Sequence, residues 1–256
     1  MQQIARRGRF SPASLTAALA PLIVVATLPP SPAEAASKVY SPIVEEGEVA
    51  IEWRGVRSID SDDSVDGDSQ YKLDFEYAPT AWWNTEAVIE WSQDPGDALQ
   101  ATEVAWENVF QLAPQGAYWL DFGVLAEFAH SLEDGGNNLV ELGLLGQKEF
   151  GPQLATANLL FERELVSGAE TEVGYALQYR WRLRELFEPG LELHGELGEL
   201  GHMGSWGDHE QVAGPAFFGR ARTTTGALKY EAGLFFGLTS ESPAQVVRVL
   251  FEYEFR

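Results

Sequence analysis

From Glu48 to the C-terminus, apolar and polar residues alternate one for one through segment after segment, and no apolar stretch there is long enough for a membrane-spanning helix. The last segment shows the pattern most plainly. Val247, Val249, Phe251, Tyr253 and Phe255 occupy the odd positions, and Arg248, Leu250, Glu252 and Glu254 the even ones. Side chains of a strand point to opposite faces with period two, so such a segment has one apolar, aromatic face and one mostly charged face. Twelve such segments of about 9 to 13 residues can be marked off, close to the roughly 9–11 that a tilted strand needs to cross a bilayer. The reading is all-β, a single antiparallel sheet of about 12 strands closed into a barrel over residues 48–256.

Connections separate the segments in an alternating way. Those after the first, third, fifth, ninth and eleventh segments are polar and mostly acidic, as in Asp60-Ser-Asp-Asp-Ser-Val-Asp-Gly-Asp68 and Glu133-Asp-Gly-Gly-Asn-Asn138. Those after even segments are short and carry Pro or Gly, as in Ala113-Pro-Gln-Gly116, Gly151-Pro152 and Glu188-Pro-Gly190. An even strand count with short turns at one end and longer loops at the other is the layout of single-chain outer-membrane barrels.

Alternation has no sign, however, so a secreted soluble barrel or sandwich with the apolar face inside shares the period. Aromatic residues near strand ends (Trp53, Tyr71, Tyr77, Trp91, Trp181, Tyr253) favour the membrane form, where they make interfacial girdles. The absence of any helical segment favours a closed cylinder.

The N-terminus reads as a targeting segment. Arg6, Arg7 and Arg9 precede an apolar run from Leu15 to Leu28, and Ala33-Glu34-Ala35 offers a small-x-small cleavage site. The run is short for a spanning helix, and Pro21 interrupts it. Residues 1–35 are therefore expected to be a signal peptide and 36–47 a leader before the barrel. Cleavage takes three arginines and one glutamate from 17 basic and 39 acidic residues, leaving 14 against 38. So acidic a chain repels phosphate, and nucleic acid is not an expected partner. With no cysteine, thiol catalysis, cysteine metal sites and disulfide scaffolds are all excluded.

The terminal strand, together with Gly190-Leu-Glu-Leu193, Gly214-Pro-Ala-Phe-Phe-Gly219 and Tyr230-Glu-Ala-Gly-Leu-Phe-Phe-Gly-Leu-Thr239, resembles a broad class of Gram-negative outer-membrane β-barrels. That class includes the group labelled for the meta-pathway of phenol degradation. Its members usually end on Phe or Trp, whereas here Arg256 follows Phe255. The resemblance implies the cell outer membrane as location, with lipid and lipopolysaccharide as surroundings. It also implies that the barrel-assembly machinery reads the C-terminal strand. It names a barrel type and no cargo.

If the apolar face meets lipid, the charged face lines a lumen. Glu86, Glu90, Glu103, Glu107 and Asp121 then form an acidic wall, and Arg180, Arg182, Arg220 and Arg222 a basic one. Charges in a narrow barrel must be hydrated or paired. Two functions follow: a small passive, porin-like pore for small solutes, or a non-transporting structural or surface-binding barrel with a salt-bridged lumen.

No enzyme and no cofactor is expected. The histidines His130, His194, His202 and His209 make no local signature with a serine, although Ser205 lies between two of them. The segment Gly198 to Gln211 gathers His202, Met203, Asp208, His209 and Glu210, and Asp60–Asp68 gathers acids, but neither matches an established metal motif. No metal site is assigned to either loop.

Overall fold

The computed structural model describes residues 38–255; the signal-peptide segment lies outside the described residues. Twelve strands follow in order: β1 (Val49–Ile59), β2 (Ser69–Thr80), β3 (Trp83–Gln93), β4 (Gln100–Gln111), β5 (Asp121–Ser131) and β6 (Leu139–Phe150), then β7 (Gln153–Glu164), β8 (Glu172–Trp181), β9 (Glu188–Glu199), β10 (Gln211–Arg222), β11 (Gly226–Gly237) and β12 (Gln245–Phe255). Each pairs antiparallel with the next, and β12 pairs with β1 to close the barrel. Eleven residues at about 3.3 Å each, tilted by about 40°, span roughly 28 Å, enough for the apolar band of an outer-membrane barrel.

Burial gives the alternation its sign. Among residues facing inward, Glu52, Arg54, Asp74, Glu107 and Arg248 are 2% exposed or less. Facing outward, Leu142, Leu144 and Trp106 are 55–58% exposed. A soluble barrel has the reverse arrangement, because a continuous apolar exterior in water is strongly unfavourable. The outer face is built for lipid.

Three elements begin or end elsewhere than the periodicity predicts. Tyr118 and Leu120 continue the alternation of Phe122 and Val124 in sequence, yet they lie before β5 in the 112–120 connection, where Tyr118 and Trp119 are 61% and 78% exposed. That turn is thus longer than its Pro and Gly suggest. Glu188-Pro-Gly190 opens β9 rather than turning the chain, and residues 182–187 make the turn. Pro189 is tolerated there because it sits at the strand's start, where a missing N–H costs least. β10 begins at Gln211, six residues before its visible alternation, because Gly214 and Pro215 blur the period. By contrast, Gly151 takes φ 63° at the first central position of the β6–β7 hairpin, which suits a primed turn.

The turns after even strands and both ends of the strand series lie at one rim, here called inner. The loops after odd strands, including the 200–210 connection with its single turn of 3-10 helix (Trp206–Asp208), lie at the outer rim.

Candidate functional site: the barrel lumen

The leader does not trail outside the barrel. Residues 38–46 run through the lumen as a strap against the β4–β7 wall. The Tyr40 amide donates to Asn158 Oδ1 (2.7 Å), and Asn158 Nδ2 donates back to the Tyr40 carbonyl (2.9 Å). Ser41 Oγ donates to Gln147 Oε1 (3.1 Å), and the Val44 amide to Gln111 Oε1 (2.8 Å). The strap thereby gains from side chains of β4, β6 and β7 the partners that a strand would take from a ladder.

Tyr40 is buried with Val109, Leu125 and Leu145, and Val44 and Leu160 pack against them. Gly123 leaves room for Pro42: a Cβ there would lie 3.0 Å from the proline ring and 2.9 Å from the Phe110 carbonyl. The periodicity holds no trace of this strap, because its contacts are to single inward residues on distant strands.

Lys38, the first described residue of the strap, lies 3.3 Å from Glu52 and 3.5 Å from Glu86. Arg54 is 2.9 Å from Asp74 and 3.5 Å from Glu52. Lys72 is 2.9 Å from Glu90. On the opposite side Arg248 is 2.8 Å from Glu192, which also bonds His194 Nε2 (2.8 Å) and accepts from Gln178 (3.0 Å). Val56, Val212, Phe235 and Val246 fill the lumen beside this group toward the outer end.

Near the inner rim Lys229 contacts Glu48, Glu252 and Glu254 together. Those three carboxylates are close enough to hold a metal ion, but the lysine ammonium already supplies the positive charge.

The expected lumen residues divide. Glu86, Glu90 and Glu107 are buried inside the barrel, and Glu103 lines a cavity of about 120 Å³ under the outer loops. Asp121 lies at the inner end and accepts from the Gly116 amide, so it fastens a turn. Arg180 pairs with Glu188 (3.2 Å) and lies over the Phe218 ring, and Arg220 pairs with Glu254.

Arg182 and Arg222 sit at the inner rim on Glu149 and Glu185, and Arg222 is 56% exposed in its side chain. The basic wall is therefore an inner collar whose charges are matched one by one. The acids of β3 to β7 have no comparable collar.

The outer loops use their polar groups internally. Asp60 accepts from the amides of Asp62 and Ala244, and Asp62 from that of Ser64, bonds that lower both carboxyl pKa values. In the 200–210 connection Asp208 accepts from the Ser205 amide, and Trp206 Nε1 donates to the Tyr175 hydroxyl (3.3 Å).

No protein-family model matches the chain, nor does any curated protein sequence. Solved structures do. The KdgM porin is 12% identical with a TM-score of 0.54, over 81% of this chain and 100% of the porin. The COG4313 outer membrane channel from Pseudomonas putida F1 is 11% identical with a TM-score of 0.55, over 83% of this chain and 97% of the channel. At such identities the likeness is one of fold. With its lipid-adapted exterior and closed 12-strand sheet, the chain has the fold of the outer-membrane β-barrels.

Proposed function

We propose that the protein is a small cation-preferring channel of the outer membrane, closed in the conformation seen here by the strap of residues 38–46. The observation that carries this reading is the imbalance of the lumen. The bases of β8, β10 and β11 are matched at the inner collar, whereas carboxylates prevail along β3 to β7 and around the outer cavity. Such a wall concentrates cations and repels anions in a narrow pore.

The strap is held by a few hydrogen bonds, one aromatic anchor and one lysine, a set that can release as a unit. The resemblance to the barrel class that includes the meta-pathway phenol group adds no cargo to this reading.

A second reading, a non-transporting barrel, is favoured by the same strap and by the buried ion pairs of Arg54 and Arg248, which rigidify the interior. Reversal potentials in planar bilayers under a salt gradient separate the two. Cation preference of the mature protein, or of a strap-weakened variant, supports the channel. Anion preference, or silence from both folded proteins, leaves the closed barrel standing.

A further inference from the structure

The pairing register holds a pattern that runs around the barrel. Glu76 of β2 lies opposite Glu86 of β3, and Glu86 opposite Glu107 of β4. Glu107 then lies opposite Glu127 of β5, Glu127 opposite Glu141 of β6, and Glu141 opposite Glu162 of β7. Glu162 in turn faces Glu172, the first residue of β8. Because the strands tilt, the row climbs as it circles. Glu76 and Glu86 lie near the inner turns, and Glu141, Glu162 and Glu172 line the outer cavity.

Like charges directly opposite on neighbouring strands destabilise a sheet. A run this long needs positive charge from somewhere. Lys38 supplies it at Glu86, and Lys72, already 2.9 Å from Glu90, is the other cation lining the outer cavity with Glu127, Glu141 and Glu162. Among the described residues, Glu107, Glu127, Glu141 and Glu162 have no ion pair within 4 Å and accept no side-chain hydrogen bond.

Glu107 is the decisive member. It is fully buried, both of its carboxylate oxygens lack a partner, and its cross-strand neighbours on both sides are carboxylates. An isolated buried carboxylate costs several kcal/mol unless a cation or proton compensates it. Oxygen-only donors on a flexible-length side chain suit a hard cation that tolerates irregular coordination, which describes Ca²⁺ better than Mg²⁺ or a soft transition metal.

We propose that the stretch Glu107–Glu127–Glu141–Glu162 binds hard divalent cations of the Ca²⁺ class, taken from the outer cavity and passed between neighbouring carboxylates. As a route, the row rests on the channel reading; as a binding site, it does not. The step involves no bond chemistry, only exchange of water ligands for carboxylate oxygens.

Calorimetric titration of Ca²⁺ into the full mature protein in detergent at pH 7.5 tests the site without any conductance. Binding by the parent protein is expected, with affinity at least tenfold weaker in Glu107→Gln and unchanged in Glu149→Gln at the inner rim. If Glu107→Gln does not fold, Glu127→Gln and Glu141→Gln, both partly exposed, serve the same comparison. No Ca²⁺ binding, or binding indifferent to these row substitutions, overturns the proposal in favour of protons shared along the row or of loop-bound Ca²⁺. Binding without conductance would keep the site and remove the channel. Conductance without binding would do the reverse.

Discussion

Asn158, on β7, holds the backbone of Tyr40 at both its amide and its carbonyl, at 2.7 and 2.9 Å, although 118 residues separate the two. This reciprocal pair fixes the strap at the one point where it also buries an aromatic ring. The same contact joins the leader's sequence to the state of the lumen.

Weakening that point should open the barrel. Removing a buried aromatic side chain costs about 3–5 kcal/mol, and here the loss falls on strap docking rather than on the strand ladder. Tyr40→Ala and Asn158→Ala should therefore keep the barrel's heat-modifiable migration and resistance to protease while raising bilayer conductance. Current traces from both variants that match the parent protein would show that the strap does not gate the lumen.

The interior ion pairs set a different expectation. Arg248 and Glu192 are 0% and 3% exposed and lie 2.8 Å apart. Removing one member of such a pair costs roughly 3–5 kcal/mol because the other stays buried with its charge, whereas replacing both is far cheaper. Arg248→Met should lower the midpoint of urea unfolding in lipid clearly, and adding Glu192→Gln should restore part of it. A double variant less stable than Arg248→Met would mean that His194 and Gln178, not the arginine, hold Glu192 in place.

The period of two was enough to read the barrel, because lipid on one side and charge on the other leave each strand a strict alternation. Parity likewise puts Glu86, Glu90, Glu103 and Glu107 on the inward face of their strands. It could not place Asp121, Arg182 or Arg222, because whether a strand-end residue lines the lumen or the rim depends on where the turn begins. The carboxylate row was hidden for a related reason. Each glutamate is visible on its own strand, but their mutual opposition is a matter of register, set by turn lengths and by irregularities such as the shift at Glu90/Trp91. The strap was hidden entirely, since nine residues without alternation look the same inside a barrel as outside it.

Orientation in the membrane has its own test in two adjacent residues of β8. Leu177 is 42% exposed on the outer face, while Gln178 points inward and donates to Glu192. Arginine on the lipid face near the midplane costs about 2–4 kcal/mol, but a lumen position tolerates charge. Leu177→Arg should reduce folding yield into lipid vesicles well below that of Gln178→Arg. Equal yields contradict the assigned faces.

The outer rim carries a pH-dependent element in Glu210, the last residue before β10. Burial, followed by the charges of Glu196 and Asp68, pushes its carboxyl pKa up to about 9 from an ordinary 4.5. Between those two values the folded rim keeps a proton that the opened or unfolded chain has released. The opened state binds fewer protons over this window, so the contribution of Glu210 to stability is greatest below about pH 4.5 and falls as pH rises, by at most about 1.4 kcal/mol per unit. Glu210→Gln keeps the neutral shape and removes the titration. The ratio of proteolysis rates at the 200–210 connection, parent over variant, should then climb from pH 5 to pH 9, with each protease's own pH dependence cancelling in the ratio. A ratio that stays flat over that range would show that Glu210 is ionised and solvated in the folded rim.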